Sequence, residues 1–274
     1  MLKTADPYAD IFSSEEAGVI LERKTVSTNE ILPEGICYLR LNGMYNDSGA
    51  EVVSYLNTWN KQGYAGVIMD IRDAGGSYHK TIDDIATFFT EENALLYRIR
   101  DMQGRIIDNR RTGKKTEEKI SHIPLMLLIN EKTSEASEVL AAVLKGRARV
   151  MLIGSSAKGD TKLRKFVPLK NGQMLYVATK QVIPADCNTN FSGKIEPDII
   201  VSAKQTRDIS KAQLEKARRD KPLSERAKNE IELASRVAGD AVLARAVDIL
   251  LGLKALGLYE TDKTAANTDN PAGE

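Results

Sequence analysis

Cysteine is scarce in this chain: Cys37 and Cys187 are the only two in 274 residues. That is too few for a disulfide framework or a thiolate metal site, and unless the fold brings them together they read as small buried apolar side chains. Charge of one sign is also missing. The formal net charge of +1 gives no global field to draw in nucleic acid or an anionic membrane. The local basic clusters RDMQGRIIDNRRTGKK (100–115) and KARRDK (216–221) are diluted by acids or lie near expected loops. No run approaches the roughly 20 apolar residues of a membrane span. MLKTADPYADIF has no basic start followed by an apolar stretch, so no export signal is read there. The expectation is a cytoplasmic protein, or a mature or truncated form whose signal was left out. There are two histidines. His79 reads as a helix-start or surface residue, and its spacing to Asp83 and Asp84 as a solvated helix face rather than a metal site; His122 stands alone. No cofactor motif is present, and no cofactor is expected.

What is there is ordinary for a globular protein: 42% hydrophobic and 28% charged residues, enough for one large or two modest domains with a proper core. ICYLRL (36–41) reads as a strand. DSGAEVVSYLNTWNKQG follows, with Val52, Val53, Leu56 and Trp59 at helical spacing, an Asp/Ser cap before them and Gly63 after. GVIMDI (66–71) is a continuous apolar run suited to a strand covered on both faces. After RDAGG, TIDDIATFF places Ile82, Ile85, Ala86 and Phe89 on one helical face. PLMLLIN (124–130), SEASEVLAAVLKG and RVMLIG (149–154) repeat the strand, helix, strand order. Three strand–helix units in succession predict an α/β fold with a largely parallel sheet. LRKFVPLKNGQMLYVATKQVI (163–183) differs: Asn171-Gly172 marks a hairpin.

Beyond PDIIV (197–201) the chain turns to helix formers and charge, with Pro222 as a break. AVLARAVDILLGLKALGL carries Val242, Ala246, Ile249, Leu250 and Leu253 on one face. Such a helix docks, against the main body or against a second copy in a homo-oligomer. The tail ETDKTAANTDNPAGE is almost devoid of apolar residues and is expected to be disordered. The expected organisation is an N-terminal segment (1–33), a core (34–202), C-terminal helices (203–259) and the tail (260–274).

The order of GICYLRL, VIMDIRDAGG, PLMLLINEKTSEASEVLAAVLKG, RVMLIG, a hairpin and KIEPDIIV resembles the protease core of the C-terminal processing peptidases, or tail-specific proteases. The resemblance covers about residues 34–202 and lies in the joint order and spacing of its motifs. It implies a crotonase-like spiral of β-β-α units, an extracytoplasmic setting, and a peptide or unfolded protein C-terminus as partner. DPYADIFSSEE (6–16) is similar to the segment that precedes the family's PDZ domain, yet only about 20 residues separate it from the ICYLRL strand, leaving no room for that domain.

Family members cleave peptide bonds with a Ser/Lys dyad supported by a glutamine. The serine is a poor nucleophile until a desolvated neutral lysine takes its proton, and backbone N–H groups of the Gly-Gly loop and the serine helix hold the oxyanion. Asn130, Thr133, Ala136, Ser137 and Glu138 match the family's nucleophile motif, which puts Glu135 at the serine position. Gly154 and Gly159 match the next motif, putting Asp160 at the lysine position and Arg164 at the glutamine position. Asp70, Arg72, Gly75 and Gly76 match the oxyanion loop, with Ala74 replacing the usual Asn; Gly75, Gly76 and Ala136 are thus the oxyanion-hole-like residues. The resemblance therefore implies a protease fold without its dyad, a pseudoprotease that keeps a peptide-binding cleft. One alternative is an active enzyme with a displaced dyad of Ser134 and Lys158, against which Ser134 reads as a helix N-cap and Lys158 as a solvated loop residue. Another is acid/base chemistry by Glu135 and Asp160, against which Arg164 can pair with either. In the first turn of its helix, Glu135 is also favoured by unsatisfied N–H groups and can fill the former oxyanion hole.

Overall fold

The computed structural model describes residues 6–64, 66–113, 123–147, 149–185, 193–202 and 225–258. Cys187, His122, Pro222 and the tail from 260 onward lie outside the described residues.

The strands form two sheets. In the first, β2 (Val26–Leu32), β3 (Ile36–Leu41), β4 (Gly66–Asp70), β7 (Leu125–Ile129), β8 (Val150–Gly154) and β11 (Ile199–Ile200) lie in the order β11-β8-β7-β4-β3-β2. All neighbours are parallel except β2 with β3. This is the largely parallel sheet read from the sequence, and the apolar runs 66–70 and 125–129 are buried at every position. The reason is a core on each face. Cys37, Leu39, Val67, Met69, Leu125, Leu127 and Ile129 point to one side, against α2 (Gly49–Lys61), α3 (His79–Phe89) and α4 (Glu135–Leu144). Ile36, Tyr38, Ile68, Met126 and Leu128, the alternate residues, point to the other. The period-2 geometry of a strand sorts one run of residues into both cores.

The second core is closed by α6 (Ala241–Ala255), which follows α5 (Glu225–Gly239). The face offered above for self-association is occupied within the chain: Val242, Ala246 and Leu250 pack on Tyr38, Ile68 and Met126. Asp240 caps α6 by accepting from the N–H groups of Val242 and Leu243. It also receives both terminal nitrogens of Arg72 at 3.0 and 2.7 Å, and Arg72 in turn is paired with Asp70 at 2.6 Å. Leu250 lies where Gly66 has no side chain, since a Cβ on Gly66 would come within 2.5 Å of its Cδ2. Leu250→Ala is expected to lower stability by about 2–5 kcal/mol in urea titrations. A loss below about 1 kcal/mol would mean that the helix adds little to the fold.

The second sheet holds β1 (Asp10–Phe12), β5 (Leu95–Asp101), β6 (Ile106–Arg111), β9 (Lys162–Pro168) and β10 (Met174–Pro184). Its order is β1-β10-β5-β6, with β9 on the other edge of β10. The hairpin expected around Asn171-Gly172 is the β9–β10 pair, joined through residues 169–173 with Gly172 at φ 82°. Much of the basic cluster 100–115, expected near loops, is strand. Arg110 is held by Asp83 and Asp108, Arg105 by Asp101, and Arg100 by Gln181. Between the DPYADIF segment and β3 lie α1 (Ser14–Leu21) and β2, neither of which was read from the sequence.

Candidate active site

The site is built where two loops and the start of α4 interlock. After β7, Asn130 Oδ1 accepts from the N–H groups of Asp73, Lys132 and Thr133, while the Thr133 hydroxyl donates to the Ile71 carbonyl at 2.9 Å. These bonds tie the turn 130–134 to the end of β4. The Ser134 N–H then donates to the Ala74 carbonyl, the Ala136 N–H to the Gly76 carbonyl, and the Ser137 hydroxyl to the Gly75 carbonyl. Between them Glu135 has φ 53°, a left-handed conformation for a residue with a side chain. That costs roughly 1–2 kcal/mol and is held by the surrounding bonds, including Glu135 N–H to the Asp160 carbonyl at 2.6 Å. Such strain persists only where the surrounding structure over-determines the conformation.

Glu135, Asp160 and Arg164 come together around a single guanidinium. Arg164 Nη1 donates to Glu135 Oε1 at 2.7 Å and to Asp160 Oδ2 at 2.8 Å. Its Nη2 and Nε donate to Asp6 at 2.7 and 3.0 Å. The Arg164 side chain is 0% exposed and its carboxylate partners between 4% and 11%. Burial works against the Arg164 charge, but bonds and charges from Asp6, Asp160 and Glu135 outweigh it and raise the pKa. Burial likewise works to raise the Asp6 pKa; the hydrogen bonds and charge of Arg164, with the Ala178 and Tyr8 N–H groups, lower it.

The other Glu135 oxygen faces the glycine loop. Gly76 N–H donates to Oε2 at 2.8 Å, the Ser77 hydroxyl reaches the same atom at 3.4 Å, and Tyr176 Oη lies 3.1 Å from both carboxylate oxygens. Burial, then the Glu135 charge, pushes the Tyr176 phenol far up, so it stays a donor. Gly76 N–H is therefore committed to Glu135 and Ala136 N–H to Gly76, while Gly75 enters through its carbonyl, which accepts from Met44 N–H and the Ser137 hydroxyl. One turn along α4, Glu138 accepts from the N–H groups of Gly159 and Asp160 at 2.8 Å each, pinning the 155–160 loop. Burial raises the Glu138 pKa against those bonds.

Lys158 lies near Ser134, its N–H donating to the Thr133 carbonyl at 3.0 Å, but the two side chains share no hydrogen bond. Lys158 is a half-buried loop residue whose Nζ lies 3.5 Å from the centroid of the exposed Tyr8 ring. Ser134 occupies the N-cap position of α4, but its side chain makes no capping bond. His79 is half-buried at the start of α3, and burial lowers its pKa. Of the two aspartates read as a solvated helix face, Asp84 pairs with the half-exposed Lys80 on that face, while Asp83 is covered and pairs with Arg110. No group of residues suited to a metal ion occurs among the described residues.

Asp6, Tyr176 and Ser77 were not singled out in the sequence. Asp6 sits in the DPYADIF segment whose resemblance was visible; Tyr176 and Ser77 carry no local signal, because only the packing of sheet against loop aims them at Glu135.

An interlocked glycine loop and a strained helix start thus stand together at the end of the parallel sheet. A family model described as peptidase family S41 matches residues 35–201, and the chain belongs to that family. It is 27% identical over 191 residues to the carboxyl-terminal-processing protease of Picosynechococcus sp., covering 67% of this chain and 45% of the relative. It is 29% identical over 163 residues to the chloroplastic C-terminal processing peptidase of Tetradesmus obliquus, covering 59% and 34%. The chain thus spans less than half the length of these relatives. Among solved structures, the photosystem II D1 C-terminal processing protease superposes with a TM-score of 0.50 at 25% identity, over 71% of this chain and 47% of that one. A putative S41 protease from Bacteroides fragilis does so at 0.59 with 17% identity, over 84% and 58%, a likeness of fold alone. Among the described residues no helix is long and apolar enough to cross a membrane.

Proposed function

We propose that this chain is a non-proteolytic member of its family, a pseudoprotease that binds peptide or unfolded protein segments in the cleft where its relatives would cut them. The observation that carries the reading is the Glu135 carboxylate, fixed by Arg164 on one oxygen and accepting the Gly76 N–H on the other. In this reading Glu135 stands at the nucleophile position, Asp160 at that of the general base and Arg164 at that of its support. An anion already sits on an N–H that would otherwise stabilise a developing oxyanion. A carboxylate tied to a guanidinium is neither a nucleophile of the serine type nor a base matched to one. Acid/base use of Glu135 and Asp160 is disfavoured on the same ground, since both accept from one Arg164 nitrogen. Peptide binding survives such losses because strand addition draws on backbone hydrogen bonds rather than on the reacting groups.

The test is incubation of the full chain with an unstructured peptide library, read by mass spectrometry for new termini, beside a separate binding measurement. The expected result is binding without cleavage, unchanged in Ser134→Ala. Cleavage by the wild type that disappears in Ser134→Ala would replace this reading with the displaced dyad of Ser134 and Lys158.

A further inference from the structure

The N-terminal segment is attached to the site in the way a peptide ligand would be. Asp6 is 3% exposed and receives the Arg164 fork on both oxygens, the Ala178 N–H at 2.9 Å and the Tyr8 N–H at 3.3 Å. Two residues on, the Tyr8 ring lies under Lys158, with the Arg164 guanidinium 5.3 Å from its centroid. Then β1 adds to β10 as an antiparallel strand, pairing Asp10 with Tyr176, Ile11 with Leu175 and Phe12 with Met174. The Phe12 ring meets Phe166 edge-on at 5.6 Å. A buried carboxylate in a bidentate guanidinium fork, a ring against cations and a short added strand are recurrent parts of peptide recognition.

The rest of the segment is loosely held. In α1 only Ala17 is buried, and Val19 and Leu21 expose 60% and 48% of their surface. Position 176 of β10, the register partner of Asp10, is also the tyrosine that reaches Glu135. A peptide arriving along residues 174–178 of β10 would meet this strap first.

We infer that Asp6–Phe12 is an intramolecular ligand of the cleft, and that Arg164 with the Ala178 N–H is a carboxylate subsite. Asp6 fills that subsite in cis; an acidic, extended peptide segment fills it when the strap lifts. The inference rests on the peptide-binding reading above. Asp6 can leave without collapse of the site, because Arg164 keeps Glu135 and Asp160 as partners.

The test uses the full chain, its Asp6→Ala variant and a fluorescent synthetic peptide ADPYADIFSSE, with a control peptide carrying Asn in place of its first aspartate. Polarisation titrations should show the peptide binding the Asp6→Ala chain at least tenfold tighter than the wild type, and the control peptide losing most of that gain. Hydrogen exchange at Ala178 and at Asp10–Phe12 should accelerate at least tenfold in the variant. Equal peptide affinity for the two chains overturns the strap. So does unchanged exchange, whether or not any peptide binds. Accelerated exchange together with peptide cleavage by the wild type would keep the strap and sink the non-proteolytic reading instead. Library peptides binding both chains alike, with exchange unchanged, would leave the cleft standing without its cis occupant.

Discussion

Replacing Arg164 by methionine is expected to cost about 3–5 kcal/mol, the penalty for removing one partner of a buried ion cluster. Methionine fills much of the space but leaves Asp6, Glu135 and Asp160 facing one another without a cation. The wild-type cluster is worth much less than that figure, since burying these charges is itself costly. The pH dependence separates the two cases. The wild-type Asp6 pKa is held below its ordinary 3.8, so its contribution is complete above that value and fades as pH falls through the lower folded value. In Arg164→Met the sign reverses: unpaired carboxylates favour the protonated form in the folded state, and the variant regains stability on acidification. Urea midpoints at pH 7 and pH 4.5 would measure both. A deficit that stays constant between them would mean that lost packing, rather than unpaired charge, sets the cost.

Gly76→Ala is the second large effect. A Cβ there would lie 2.3 Å from the Met44 carbonyl oxygen and 2.7 Å from its nitrogen, both backbone atoms, at a φ of 88°. The left-handed backbone costs roughly 1–2 kcal/mol and forced overpacking roughly 1–3 more, so a loss of about 3 kcal/mol is expected. At Gly75 the nearest obstacle is the Ser134 hydroxyl at 3.2 Å, a side chain with room to turn. Gly75→Ala should stay within about 1 kcal/mol, as for substitutions that create no cavity, clash or buried charge. Thermal denaturation of the pair would tell a demand of backbone geometry from an oxyanion role for these glycines. A large loss at Gly76 with little at Gly75 assigns the second glycine to backbone geometry, independent of any oxyanion. Equal and small losses would remove that geometric explanation.

Much of the parallel sheet was legible because its signals are local. The runs 66–70 and 125–129 are apolar at every position because both faces of the sheet are covered, and Val52, Leu56 and Trp59 recur at the helical period because one face of α2 packs on that sheet. The β5–β6 hairpin was less legible. Arg98, Arg100, Arg110 and Arg111 lie within strands whose burial is only partial, and charge masked the alternation. Positions 135, 160 and 164 drew attention through the motifs around them, not through any property of a lone Glu, Asp or Arg.

By itself the sequence determined the strand and helix order of the parallel sheet from 36 to 154, its two-sided core and the residue types at the three family positions, because periodicity and composition act over a few residues. The tertiary structure alone decided that those three side chains share one guanidinium with Asp6, 158 positions before Arg164. It also decided that the glycine-loop N–H is spent on Glu135 and that the apolar face of α6 is used within the chain. Each of these depends on how sheets, loops and termini pack across long separations. A buried charge finds its partner there by geometry, and no local pattern encodes that geometry.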